Sequence, residues 1–246
     1  MSPISCARPG RRPQLLGLAL GALLATPCAW AGTHVYGRIN AIGVPDVNGA
    51  FDLHIVREDL DVAYADDSGG GPLALRRIGI SFYERIDDAS RMGVRIGGAG
   101  LTQTDRPSTA GLDPSGYYGE LEFQGAWPAE GRLRFALDAS WRYTRVDARD
   151  NADNPTVLGW QTFDLRPGLL FGITPRIAGR VGASGLFVDG SERVSSPDRQ
   201  TVDFEADGRT GAFAGLDFYG RGGDVVHLRL RGGNPEGIYV SFEQRY

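Results

Sequence analysis

The 246-residue chain carries 26 basic residues, all arginine, against 30 acids, a formal charge of −4. An acidic chain without a basic stripe argues against a nucleic-acid binder. Thirty-six glycines and a tenth of the residues aromatic suit strands better than helices.

Residues 1–31 read as a secretory signal. Arg8, Arg11 and Arg12 precede the apolar run LLGLALGALLA (15–25), and Ala29-Trp30-Ala31 supplies a small-x-small cleavage site. A lipid on Cys28 is disfavoured by Pro27, which stands where a small residue is needed. Cleavage leaves a chain from Gly32 of about 215 residues. Both cysteines, Cys6 and Cys28, are lost with the signal, and with them any disulfide, thiol nucleophile or zinc–thiolate site. The remaining 23 arginines face 30 acids, a formal charge of −7. No run of 18 apolar residues follows, so no transmembrane helix is predicted.

Residues 32–50 form a lead segment without an assigned element, and 51–246 form one domain of strands. From Phe51 to Ala65, Val56, Leu60, Val62 and Tyr64 oppose Arg57, Asp59 and Asp61, with Glu58 interrupting the apolar face. Next, Ile78, Ile80 and Phe82 alternate with Gly79, Ser81 and Tyr83, and Met92, Val94 and Ile96 alternate with Gly93, Arg95 and Gly97. Tyr117, Leu121, Phe123 and Trp127 oppose Tyr118, Glu120, Glu122 and Gln124. The clearest strand sets Leu133, Phe135, Leu137, Ala139, Trp141 and Tyr143 against Arg132, Arg134, Asp138, Ser140 and Arg142.

Further on, Phe163, Leu165, Leu169 and Phe171 oppose Asp164 and Arg166. Ile177, Val181, Ala183 and Phe187 oppose Arg180 and Ser184. Residues 189–208 read as the longest, mostly charged loop. Ala212, Ala214, Leu216 and Phe218 follow with Asp217 across, then Val226, Leu228 and Leu230 against His227, Arg229 and Arg231. The last strand sets Ile238, Val240 and Phe242 against Tyr239, Ser241, Glu243 and Arg245. Period-two alternation of this kind marks strands with one apolar and one polar face.

Ten strands result, with eight or twelve as neighbouring solutions. Tight connections at 87–90, 128–131, 173–176 and 221–224 alternate with longer ones at 65–72, 102–116, 147–157, 189–208 and 232–236. That parity is expected of an all-β, antiparallel up-and-down transmembrane barrel with short periplasmic turns and longer external loops. The final GIYVSFEQRY resembles the C-terminal strand of Gram-negative outer-membrane β-barrels, although Gln244 stands where their pattern has an apolar residue. The resemblance implies an outer-membrane location, contact with membrane lipid and lipopolysaccharide, and recognition of the last strand by the barrel-assembly machinery. No nucleic-acid partner is expected, and oligomeric state is left open.

On this reading the apolar face meets lipid and the ions line the lumen. The expected lumen residues are Asp59, Asp61, Arg95, Glu120, Glu122, Arg132, Arg134, Asp138, Arg142, Asp164, Arg166, Arg180, Asp217, His227, Arg229, Arg231, Glu243 and Arg245. Trp141, Tyr143 and Trp160 near the loop ends, and Trp127, Phe171 and Tyr246 near the turn ends, make two aromatic girdles. Such a barrel is barely wider than its side chains, so Arg–carboxylate networks rather than a wide channel should fill it.

Three functions fit: a non-enzymatic structural or interaction barrel displaying its loops, a narrow pore for ions or small solutes, and an outer-membrane lipid or peptide hydrolase. The first is preferred. His34, His54 and His227 sit in no recognisable motif with Ser or Asp, so no catalytic residue is assigned. The Asp-rich loop 147–154 lacks the glycine and terminal Glu of an EF-type calcium loop and reads as solvated. No metal or cofactor is expected.

Overall fold

The computed structural model describes residues 49–66, 70–103, 113–149, 154–195, 200–220 and 222–246. The signal, residues 32–48 with His34, most of the 102–116 loop and Asp150 to Asp153 of the acidic loop lie outside them.

Eleven antiparallel strands follow one another: β1 (Gly49–Tyr64), β2 (Gly71–Arg85), β3 (Ser90–Gln103), β4 (Ser115–Trp127), β5 (Leu133–Arg149), β6 (Pro155–Thr174), β7 (Ile177–Val194), β8 (Gln200–Ala206), β9 (Thr210–Tyr219), β10 (Val225–Gly233) and β11 (Glu236–Arg245). Each strand pairs with its neighbour in sequence except at β8, and β11 returns to β1 to close the ring, from Ala50 opposite Arg245 to Asp59 opposite Glu236. The last residue takes part in the closure: the amides of Gly49 and Tyr246 each donate to the other's carbonyl, at 3.2 and 3.1 Å. Closure leaves no strand edge to lipid, the condition for a sheet to cross a bilayer.

The ring changes strand number along its axis. In the turn-side part β7 pairs with β9 (Ile177 to Gly185), and ten strands close the barrel. Beyond that, β7 pairs with β8 (Asp189 to Val194), and β8 reaches β1 at Val62 to Tyr64, so eight strands close it. The loop expected over 189–208 is therefore largely a strand hairpin. Asp189, Arg193, Asp203 and Glu205 face outward while Glu192 is buried inside, and that mixture concealed the alternation.

Asn234 locks the seam where three strands end and one takes over. Its side-chain amide donates to the carbonyls of Asp61 (2.8 Å), Asp207 (2.8 Å) and Gly208 (3.0 Å), and its oxygen accepts from the Asp61 amide at 3.0 Å. One buried side chain thus satisfies the Asp61 amide and the carbonyls of the β8–β9 turn, and joins the Asp207 amide (2.9 Å) on the Asp61 carbonyl.

The outer surface of the ten-stranded part is greasy. Leu53, Ile55, Ile78, Val94, Leu121, Leu133, Phe135, Phe163, Leu169, Leu228, Val240 and Phe242 are all exposed, Leu133 at 61%. On β1 and β2 this belt stops at Arg57 and Arg76, which point outward directly opposite each other.

Candidate functional site

The ring's interior is divided into a charged lower lumen and an apolar upper end. In the lumen every interior carboxylate of the main network meets two or more cations. Glu243 bonds Arg91 (2.7 Å) and Arg245 (2.6 Å) and lies 3.4 Å from His227 Nε2. Glu122 accepts from Tyr83 (2.6 Å), Arg95 (2.8 Å) and Arg166 (3.1 Å). Asp138 takes both Oδ atoms to Arg180 Nη1, at 2.9 and 2.8 Å, and pairs with Arg229 at 3.5 Å. Asp164 holds Arg231 through two nitrogens at 2.7 and 3.1 Å. Higher up, Glu58 links Arg77 (2.9 Å) to Arg142 (3.3 Å), and Glu120 links Arg95 (3.3 Å) to Arg142 (3.6 Å). Planar guanidinium forks suit such shared pairing, and multiple partners offset the desolvation of burial.

A side branch joins Asp52, His54 and Tyr118. His54 Nδ1 lies 3.0 Å from Asp52, and its Nε2 is hydrogen-bonded to the Tyr118 hydroxyl. Gly79 makes room for it, since a Cβ there would fall 2.4 Å from the Ile96 carbonyl and on top of the Tyr118 hydroxyl. Ser81 Oγ sits 3.2 Å from Asp52 and 3.3 Å from His54 Nδ1. In a Ser–His–Asp triad the serine addresses the nitrogen away from the carboxylate; here that nitrogen belongs to Tyr118. His227 likewise faces a carboxylate on each side, Asp217 at 2.7 Å and Glu243. Both histidines are buried spacers in an ion network.

Above the charges lies an apolar plug. Leu60, Val62, Tyr64, Leu73, Leu75, Leu101, Tyr118, Val146, Leu158, Trp160, Leu186, Val188 and Phe204 pack inside the eight-stranded end, several with no exposed surface. Here the strands turn mainly apolar side chains inward, with Gln103, Thr144, Thr156 and Glu192 buried among them, and Asp59, Asp61 and other polar ones out, close to the arrangement of a water-soluble barrel.

The placements of the expected residues follow. Arg95, Glu120, Glu122, Arg134, Asp138, Arg142, Asp164, Arg180, Asp217, His227, Glu243 and Arg245 are buried inside the ring, and Arg166, Arg229 and Arg231 line it half-buried. Three do not line it. Asp59 and Asp61 face outward on β1, because that strand's apolar face points into the plug beyond Glu58. Arg132 lies exposed in the β4–β5 turn, one residue before the strand begins. Among the girdle aromatics, Trp127, Trp141, Tyr143 and Tyr246 are exposed on the outer surface and Phe171 is half-buried. Trp160 is 1% exposed and belongs to the plug. Asp52, His54, Glu58, Arg77, Tyr83 and Arg91 were missed; each alternates with an outward apolar residue (Leu53, Ile55, Ile78, Phe82, Met92) or with Arg57, and that alternation was the available signal. Among the described residues no cluster of three or more His, Cys, Asp or Glu could hold a metal.

Outward leucine, isoleucine and phenylalanine around inward ion pairs invert the order of a water-soluble protein. This is a membrane-spanning barrel. Closed barrels of this kind, with turns at one end and longer hairpins at the other, are integral proteins of the Gram-negative outer membrane.

No family model and no curated protein matches the chain. Solved structures with a similar course include Neisserial surface protein A, at 11% identity, covering 80% of this chain and 99% of that one, with a TM-score of 0.41. The outer membrane protease OmpT from Escherichia coli aligns at 13% identity over 82% and 98%, with a TM-score of 0.45. The translocator domain of the autotransporter NalP from Neisseria meningitidis aligns at 8% identity over 83% and 90%, with a TM-score of 0.49.

Proposed function

We propose that the chain is a non-conducting, non-enzymatic outer-membrane barrel, a structural or interaction module that holds its extended outer hairpins at the cell surface. The plug carries this reading. Water and ions entering from the turn side meet a cross-linked set of arginines and carboxylates, and above it a dry layer centred on Leu73, Leu158 and Trp160. Ions passing through that layer would shed most of their hydration among tightly packed, mainly apolar side chains. His54 engages both ring nitrogens, and His227 is buried between Asp217 and Glu243 with its Nε2 3.4 Å from Glu243, which supports the non-enzymatic part.

Its lipid partner on this reading is anionic. Arg57 and Arg76 sit at the upper edge of the apolar belt, without an ion-pair partner among the described residues, where lipopolysaccharide phosphates lie. The β11 strand, which closes the ring, is the segment offered to the assembly machinery.

Planar-bilayer recording tests the proposal. The barrel should give no current above leak, and removing the plug through Trp160→Ala with Leu158→Ala should raise conductance. Steady single-channel openings from the unaltered chain would replace this reading with that of a narrow pore.

A further inference from the structure

The lipid-facing apolar rows differ in height around the ring. On β5 the outward row runs from Leu133 to Tyr143 and on β6 from Phe163 to Ile173, each about 25 Å along the barrel axis at ~3.3 Å per residue and a strand tilt of ~40°. Their neighbours match them, from Tyr117 to Trp127 on β4 and from Ile177 to Phe187 on β7, with glycines among the apolar residues. This is the ordinary height of an outer-membrane barrel's apolar band. Across the closure of the ring the rows are far shorter on four consecutive strands: Val226 to Leu230 on β10, Ile238 to Phe242 on β11, Phe51 to Ile55 on β1 and Ile78 to Phe82 on β2. Each covers about 10 Å of axial height by the same measure.

Polar residues on the same outward face end these short rows. Arg76 and Glu84 bound the row on β2, and Glu236 and Gln244 bound that on β11, each pair about 20 Å apart along the axis. Arg57 stands above the row on β1, directly opposite Arg76. All five side chains are exposed. Tilting the barrel cannot remove the difference, because a flat slab crossed by a cylinder has the same thickness along the cylinder's axis on every side. Lifting the guanidinium groups of Arg57 and Arg76 toward the headgroups closes part of the gap above. The shorter side chains of Glu84 and Gln244 close little of it below. Holding charges at hydrocarbon depth costs more than compressing the bilayer by several ångströms, so the lipid yields.

We propose that the β10–β11–β1–β2 face is a bilayer-thinning surface, whose partner is lipid compressed below its resting height, while β4 to β7 hold the membrane at full height. β3 and β9 separate the two halves. The barrel therefore imposes a step in membrane thickness between its two sides. This follows from the membrane-spanning fold alone and does not depend on whether the barrel conducts.

Nitroxide depth measurements on the folded chain from Gly32 test this in vesicles of dilauroyl, dimyristoyl and dioleoyl phosphatidylcholine. Single labels at Ile80 and Val240, midway along the short rows, are compared with one at Leu137 on the tall side, using collision rates with oxygen and with a nickel chelate. As the acyl chains lengthen, the Leu137 label should move deeper. The Ile80 and Val240 labels should deepen less than about half as much, because the lipid beside them stays compressed. Arg76→Leu with Glu84→Leu lengthens the β2 row at both ends, and should make the Ile80 label deepen with chain length as Leu137 does. Arg145→Leu, above the tall row of β5, should leave the Ile80 label unchanged. Equal deepening at all three positions of the unaltered barrel would overturn the proposal, whether or not the double variant folds. Loss of oxygen collisions at Ile80 and Val240 together with spin–spin coupling between barrels would overturn it too, since a second copy rather than thinned lipid would then cover the short face.

Discussion

Asp138 is the sharpest point at which to probe the lumen. Its carboxylate is 1% exposed and takes Arg180 through both oxygens at 2.9 and 2.8 Å, with Arg229 at 3.5 Å. Asp138→Asn keeps the shape and deletes the charge, leaving two buried guanidinium groups short of a counter-ion. Breaking a buried pair from one side costs about 3–5 kcal/mol, because the surviving charge stays desolvated. That is roughly two to three and a half decades in the folding constant. Replacing both partners, in Asp138→Leu with Arg180→Met, should recover most of the loss, since apolar substitutes of similar volume are often neutral. Urea unfolding of the barrel in lipid vesicles, followed by tryptophan emission, reads each difference, and the cycle gives the coupling. A loss under about 1 kcal/mol for Asp138→Asn would mean a solvated, screened pair, and the description of a tightly ion-paired lumen would be wrong.

Asn234→Ala should lower stability by about 2–4 kcal/mol, since several hydrogen bonds of about 1 kcal/mol each are lost and backbone carbonyls are left bare. Amide exchange at Asp61 should accelerate in that variant, while exchange in β5 should not. Leu137→Arg, on the lipid face of β5, should cost about 2–4 kcal/mol in a bilayer and far less in a urea-soluble unfolded reference. Asp87, in the β2–β3 turn, is fully exposed; its carboxyl is held below the usual carboxylate range by hydrogen bonds from Ser90 and from the Ala89 amide, the latter at 2.7 Å. Its folded-state value is depressed, so its contribution is present above an unfolded value of about 4 and fades as pH falls through the lower folded one. The stability difference between the unaltered chain and Asp87→Ala should therefore shrink below about pH 4, and a difference flat to lower pH would contradict that.

Much of this was legible because a lipid-facing strand writes its period plainly. On β5 every odd residue from Leu133 to Trp141 is apolar and points outward, while Arg134, Asp138 and Arg142 point in. The reading failed where the barrel rises out of the membrane and the two faces exchange chemistry. On β1, Val56, Leu60, Val62 and Tyr64 look like a lipid face, yet they and Glu58 point inward, and Asp59 and Asp61 are the solvent face of the upper barrel. Trp160 was misplaced for the same reason. It has the position along its strand expected of a girdle residue, but the wrong side, as its partner Thr144 on β5 shows. β8 escaped because a seven-residue strand above the membrane needs no apolar outer face. The joining of carboxylates to particular arginines was beyond sequence, since it depends on shear between strands that are distant in the chain.

The orientation of the sheet is tested most directly on β5. The chain from Gly32 has no cysteine, so single cysteines at positions 133 to 142 can each carry a nitroxide in lipid vesicles. Collision rates with oxygen, which partitions into lipid, should be high at Leu133, Phe135, Leu137, Ala139 and Trp141 and low at Arg134, Ala136, Asp138, Ser140 and Arg142. Rates without a period of two, or high only at the even positions, would mean that the apolar face is not the one that meets lipid.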